Sequence, residues 1–286
     1  MDSANQEQEK NFRRLESAVF EKRPVLGEII NLHGNMTVFD YLDSYLSKEI
    51  RPANLERQNN LIEVVKEETE LRLGKEVAQA VEKQLQKYYY VSTTDHFGPM
   101  YHPWVFNFNL VTSAVYQNSS DPDLKNVITL ACANVSLNNF SFPRGFSFHS
   151  DSTGNIKNNR FSFLPSNSHS FPVYGFRSFT DQELLKVKNS LKESLNQKQI
   201  CQNGYDGSSK ILDEIYNLPE ILEEKYYSDQ VTKTNQAIWK KIVPKINNKE
   251  INFVYLEQEW IVVKLLIKYH LNSKTTLSRI IFDDTS

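Results

Sequence analysis

The feature that most constrains the fold is a change of hydrophobic period at Tyr88. From Ala53 to Lys87 apolar residues recur at helical intervals among many Glu and Lys, through Leu55, Leu61, Ile62, Val65, Leu71, Leu73, Val77, Val81 and Leu85, with Gly74 as a break. One long helix or two in tandem are expected there. Tyr88-Tyr89-Tyr90-Val91-Ser92-Thr93 then loses the helical period and is aromatic and β-branched, as in a strand buried on both faces. Pro103 next stands where a first helical turn tolerates a missing N–H, and Trp104, Val105, Phe108, Leu110, Val111 and Val115 carry an apolar helix to about Asn118. After the turn Asp121-Pro122-Asp123, the run from Asn126 to Ala133 reads as a second buried strand. Strand, helix and strand in that order imply a parallel pair joined by a right-handed crossover.

The flanks are helical. Thr37 and Asp40 stand at capping-box spacing before Tyr41, Leu42, Tyr45 and Leu46, and this helix runs until Pro52. Three short alternating stretches, Gly145–His149, Arg160–Leu164 and Val173–Phe179, read as antiparallel strands or hairpin arms separated by Ser, Asn and Pro. Thr180-Asp181-Gln182-Glu183 is a capping box that opens a helix through Leu184, Leu185, Val187, Leu191 and Leu195, and Asn203 to Gly207 is expected to break it. Helices follow over 208–217, 219–227 and 229–243, then a strand over 252–256 and a last apolar helix over 257–271. The expected class is α/β, a small mainly parallel central sheet with a β-rich middle region, flanked by N-terminal and C-terminal helices. Three regions are read: 1–87 helical, 88–180 the α/β core, and 181–286 helical and packed on the same core.

Composition narrows the function classes. With 40% hydrophobic and 24% charged residues in 286, the chain can bury one large core or two modest ones. A formal net charge of −2 supplies no global basic field, which disfavours nucleic acid and anionic membranes as partners. The polar N-terminus lacks a signal-peptide core, no segment approaches a membrane span, and Cys132 and Cys201 alone make no disulfide framework, so a cytoplasmic location is expected. The chain stops soon after Leu277–Phe282 without a polar tail, which suggests a native protein continuing past residue 286.

The richest chemistry lies in Thr93–Pro103, between the first strand and the next helix. Asp95, His96 and His102 can act as an acid–base group with its orienting partner or bind a divalent metal ion, and otherwise serve a structural loop by capping backbone groups. Gly98 permits close backbone approach, and the following helix N-terminus favours an anion. A parallel sheet would bring out the loop after the second strand on the same edge. There Asn134 and Asn138 can orient a substrate, Arg144 can hold a carboxylate or phosphate, and His149 supplies another imidazole; a plain turn explains the same residues.

Arg160, His169, Tyr174 and Arg177 lie among phenylalanines, a pattern of single-strand nucleic-acid binders but more often of strand faces and core. The cysteines have no nucleophile setting. The function expected is therefore an enzyme on a small polar or anionic substrate, with metal-assisted hydrolysis as its concrete form. The alternative is a non-catalytic ligand-binding or interaction module, in which the N-terminal helices, the long charged helix from Ala53 to Lys87 above all, meet a partner or a second copy of the chain.

Overall fold

The computed structural model describes residues 3–46, 55–88, 91–94, 97–99, 103–139, 142–151, 156–165, 171–243 and 249–271. Its contacts form two compact units, Met1–Glu49 and Ile50–Ser286.

The first unit holds α1 (Ser3–Lys22), α2 (Pro24–His33) and α3 (Val38–Leu46). Gly27 of α2 lies so near Phe20 that a Cβ would sit 3.1 Å from its ring, which lets α1 and α2 close on one another. Thr37 caps α3 as expected: its hydroxyl accepts the Asp40 N–H at 3.1 Å and donates to the Asp40 carboxylate at 2.6 Å.

In the second unit α4 (Leu55–Leu73) and α5 (Lys75–Lys87) are two helices in tandem. They part at Gly74, whose φ of +88° suits glycine and strains other residues. Then come β1 (Ser92–Thr94), α6 (Pro103–Asn118), β2 (Asn126–Ala131), the hairpin strands β3 (Gly145–Asp151) and β4 (Ile156–Ser162), α7 (Asp181–Asn196), α8 (Gln202–Ile211), α9 (Pro219–Leu222), α10 (Tyr227–Ile242), β5 (Asn252–Glu257) and α11 (Gln258–Leu265). The class is α/β: β1, β2 and β5 form a three-stranded parallel sheet in the order β1-β2-β5, and β3 pairs antiparallel with β4.

Strand alternation sorts the sheet into two faces. Ile128 and Leu130 of β2 with Val254 and Leu256 of β5 pack against Ile62, Val64 and Val65 of α4, Val81 and Leu85 of α5 and Ile261 of α11. The opposite face meets α6 and α10: Thr129 bonds Asn109 of α6 at 3.2 Å, Thr232 of α10 bonds the Tyr255 carbonyl at 2.8 Å, and Trp239 stacks on Phe253 at 4.8 Å.

The amino edge of the sheet is closed by paired amides. Gln84 accepts the Asn126 N–H at 2.8 Å and donates to the Asn126 carbonyl at 2.8 Å; Asn252 donates to the Asn126 side chain at 2.9 Å; Gln236 accepts the Phe253 N–H at 2.7 Å. Each of these buried groups is matched, as the cost of orphaned polar atoms requires.

Three local expectations change. The first strand is shorter, and as an edge strand it is not buried on both faces: Thr93 is exposed, while Tyr88 caps α5 and binds Asp121 through its hydroxyl. Val173–Phe179 is a 3₁₀ turn (Val173–Gly175) with an isolated bridge from Arg177 to Tyr226, because its backbone bonds Ala133 and Val135 on one side and Lys225 and Tyr227 on the other rather than a hairpin partner. Asn203–Gly207 lies inside α8 instead of breaking the chain; burial of Ile200, Leu212 and Ile215 around it outweighs the glycine penalty of roughly 1 kcal/mol each.

The capping box at α7 is complete: Thr180 Oγ1 accepts the Glu183 N–H at 3.4 Å, and the Thr180 N–H donates to Glu183 Oε2 at 2.9 Å. Arg177 grips the same carboxylate at 2.9 and 2.7 Å. Thr180→Ala is expected to cost about 1 kcal/mol of unfolding free energy in urea, the usual value of a lost N-cap.

Candidate functional site

The carboxyl edge of the parallel sheet differs from the amino edge in that its buried polar groups are not all matched. Pairing places Thr94, Ala131 and Glu257 side by side across β1, β2 and β5. On β5 the phase that buries Phe253 and Tyr255 against α10 next delivers Glu257, so an acid occupies a position built for an apolar side chain. Glu257 is 3% exposed, and neither of its carboxyl oxygens has a hydrogen-bond partner among the described residues. Burial pushes this carboxyl up to about 7; the nearby Ser228 hydroxyl and the Arg72 guanidinium act in the opposite direction, and Glu259 and Asp229 add to the rise.

Ser228 belongs to the first turn of α10 and is equally buried, with its hydroxyl unmatched among the described residues. That first turn joins several parts of the edge. Tyr227 donates to the Pro143 carbonyl at 2.8 Å, and Asp229 takes the Arg72 guanidinium at 2.8 Å. Burial raises the Asp229 carboxyl from its ordinary value despite this cation. Arg72 also pairs with Glu68, which Lys264 holds from the other side.

Glu259, in the first turn of α11, has another role. Its two oxygens accept the Ala133 and Asn134 N–H groups, each at 2.7 Å, and the Cys132 thiol at 3.1 Å. This carboxylate fixes the exit of β2 and so sets where the following loop begins. Cys132 is thereby a structural thiol.

Of the residues singled out in the sequence, Asp95, His96 and His102 lie outside the described residues. The part of their loop that is described, Phe97–Pro99, packs down at this edge. The Gly98 N–H reaches the Tyr255 hydroxyl at 3.4 Å, its carbonyl accepts from Asn235 at 3.1 Å, and a Cβ there would stand 3.3 Å from Pro143 Cα. Close backbone approach at Gly98 is therefore toward Pro143, one residue before Arg144, so the loops after β1 and after β2 do meet.

Asn134 and Asn138 have exposed side chains on the β2 exit loop, with backbone N–H groups bonded to Glu259 and to Ser136 Oγ. His149 pairs in register with Asn158 within the β3–β4 hairpin, and its side chain lies outside the described ones.

Arg144 is half-buried. Its guanidinium lies 5.2 Å from the centre of the Phe142 ring, and that of Arg160 lies 5.4 Å from the same ring. Burial and then the charge of Arg160 lower Arg144 from its ordinary value. Phe142 itself has φ +56°, an uncommon left-handed backbone for a bulky residue and a place where strain is stored.

Among the described residues no group of three or more His, Cys, Asp or Glu side chains can hold a metal ion, and no helix is long and apolar enough to cross a membrane. Comparison with protein-family models, curated proteins and solved structures found no match. The class rests on the chain's own geometry: an α/β protein with an open parallel sheet whose carboxyl edge, the edge at which such sheets bind ligands, carries an unmatched buried acid.

Sequence reasoning missed Glu257, Ser228 and the pairing of Arg160 with Arg144. One signal was available for Glu257: the alternation Phe253, Tyr255, Glu257 continues an inward phase into a carboxylate.

Proposed function

We propose that the protein is an enzyme acting on a small polar, anionic substrate at the carboxyl edge of its parallel sheet. The observation that carries this reading is Glu257, a buried carboxyl without a hydrogen-bond partner among the described residues and poised to gain or lose a proton near neutral pH. Leaving such a group unmatched is costly, and costs of this kind concentrate where proteins do chemistry. Glu257 supplies the acid–base function, Arg144 the anchor for negative charge, and Gly98, Asn134 and Asn138 the walls and hydrogen bonds of the rim.

The test is a screen of the purified chain at pH 7 against phosphorylated and carboxylated small molecules, repeated with Glu257→Gln. The expected result is a turnover that falls by about a hundredfold or more in the variant, the lower range for a lost general acid or base. Turnover indifferent to the substitution removes Glu257 from the chemistry.

The metal-assisted form rests on the residue types Asp95, His96 and His102. Elemental analysis of the purified protein is expected to find a stoichiometric divalent metal that is lost when His96→Ala and His102→Ala are combined. Metal-free protein with full turnover overturns that form and leaves acid–base chemistry in place.

A second reading, an interaction module, draws on the first unit, where Phe12, Leu15, Val25, Leu32 and Val38 are all more than half exposed. A second copy of the chain is its expected partner, and the molar mass in solution at rising protein concentration decides it.

A further inference from the structure

We propose that Ser228 is a positioning residue for proton exchange at Glu257: its hydroxyl, set opposite the carboxyl by α10, donates to the carboxylate and accepts from the acid. This rests on the reading of Glu257 as an acid–base group and adds a second residue to it. The placement follows from how α10 lies along β5. Gln236 accepts the Phe253 N–H at 2.7 Å, and Thr232, one turn earlier in the helix, donates to the Tyr255 carbonyl at 2.8 Å, two residues later in the strand. Helix and strand therefore run in opposite directions and in step, since four helical residues rise about 6 Å and two strand residues about 6.6 Å. One further step sets Ser228 opposite Glu257.

The first two rungs join helix side chains to backbone groups of β5, and the third differs. Ser228 is 1% exposed and Glu257 3%, and neither the hydroxyl nor either carboxyl oxygen has a hydrogen-bond partner among the described residues. Two unmatched groups thus face one another at one level of the fold. The hydroxyl favours the charged form of the acid, as a donor beside a carboxylate does.

An acid that both keeps and yields a proton needs a neighbour suited to either form. A hydroxyl carries one donor and two acceptor lone pairs and turns to suit, whereas a backbone N–H or a guanidinium only donates. Glu259 gives the contrast two residues on: it accepts the Ala133 and Asn134 N–H groups and the Cys132 thiol, an arrangement suited to a carboxylate alone. Among the described charges, Arg72 of α4 favours ionised Glu257, Asp229 of α10 and Glu259 of α11 oppose it, and Glu68 and Lys264 pair behind Arg72. β2 sets the uncharged Ala131 beside it. Ser228 is the uncharged donor of the group, so its removal changes the hydrogen bonding of Glu257 and leaves these charges in place.

The test is carbon-13 titration of the Glu257 carboxyl in the full chain and in Ser228→Ala, Ser228→Thr and Thr232→Ala. Ser228→Ala is expected to raise the midpoint by about one pH unit, the size of a lost hydrogen bond to a charged group. Ser228→Thr keeps the hydroxyl and is expected to hold the midpoint near the wild-type value. Thr232→Ala removes a hydroxyl one turn away, and an unmoved midpoint there separates the effect of Ser228 from a general loosening of α10. A Ser228→Ala midpoint equal to that of the wild type, or an equal rise in Ser228→Thr or Thr232→Ala, overturns the positioning role. Should turnover depend on Glu257 while its midpoint ignores Ser228, the positioning role alone is lost; should the midpoint follow Ser228 while turnover ignores Glu257→Gln, the acid–base reading is lost and the pair stands.

Discussion

Glu257→Gln raises the unfolding free energy at pH 8 by about 3 kcal/mol and leaves it nearly unchanged at pH 4, the value following from about 1.4 kcal/mol for each pH unit by which burial displaces a proton affinity. The sign is set by which state holds the proton more tightly. The folded carboxyl titrates at about 7 and the unfolded one at 4.5, so between these values the folded state binds more protons. Stability therefore falls as pH rises from 4.5 to 7, and above 7 the whole penalty of a buried, unmatched charge is present. Glutamine keeps the shape and never ionises. Urea titrations of both proteins at pH 4 and pH 8 measure the difference; an equal effect at both values would show that Glu257 is not the source.

Arg72→Met has the opposite effect and a comparable size. The guanidinium stands between Glu68, only 3% exposed, and the partly buried Asp229. Methionine keeps the packing of the stem but leaves Asp229 facing burial alone, although Lys264 still holds Glu68. Breaking one partner out of a fully buried ion pair costs about 3 to 5 kcal/mol, mostly because the remaining charge is uncompensated, and with Asp229 only partly buried the expected loss lies at or below the lower end of that range. The Asp229 carboxyl, already raised by burial, rises further without its cation, so the loss is larger at pH 8 than at pH 5. Adding Asp229→Asn to Arg72→Met is expected to return a good part of the loss, as denaturant midpoints of the single and double variants would measure. A double variant as unstable as the sum of the singles would mean that the pair carries no coupling.

The legible parts of this fold were those where one residue type decides the backbone. Gly74 divides the helical period into α4 and α5, Pro103 opens α6, and Thr180 with Glu183 opens α7, each at the place read from the sequence. The apolar runs beginning at Asn126 and Asn252 are strands because continuous β-branched and aromatic residues can be buried from both sides. What the sequence hid was decided by partners distant in the chain. Val173–Phe179 alternates like a strand but is claimed by the backbone of 133–135 and 225–227, and the glycines of α8 are carried by apolar neighbours on either side. At the site, the polar loops after β1 and β2 announce themselves by composition, and Gly98 against Pro143 shows that they meet. Glu257 and Ser228 do not. A glutamate between a strand and a helix resembles a helix start, and a serine in a first helical turn resembles a cap; the inward phase of Phe253 and Tyr255 hints at Glu257, and the burial of both residues shows that they point into the protein.

Titration of the Glu257 side-chain carboxyl by carbon-13 NMR, with the resonance assigned by its absence in Glu257→Gln, decides whether this buried acid exchanges its proton near neutral pH. A midpoint near 7 is the result expected from its burial, which outweighs the opposing Ser228 hydroxyl and Arg72 guanidinium. A midpoint at the ordinary glutamate value of about 4.5 would mean that burial does not hold the proton on Glu257.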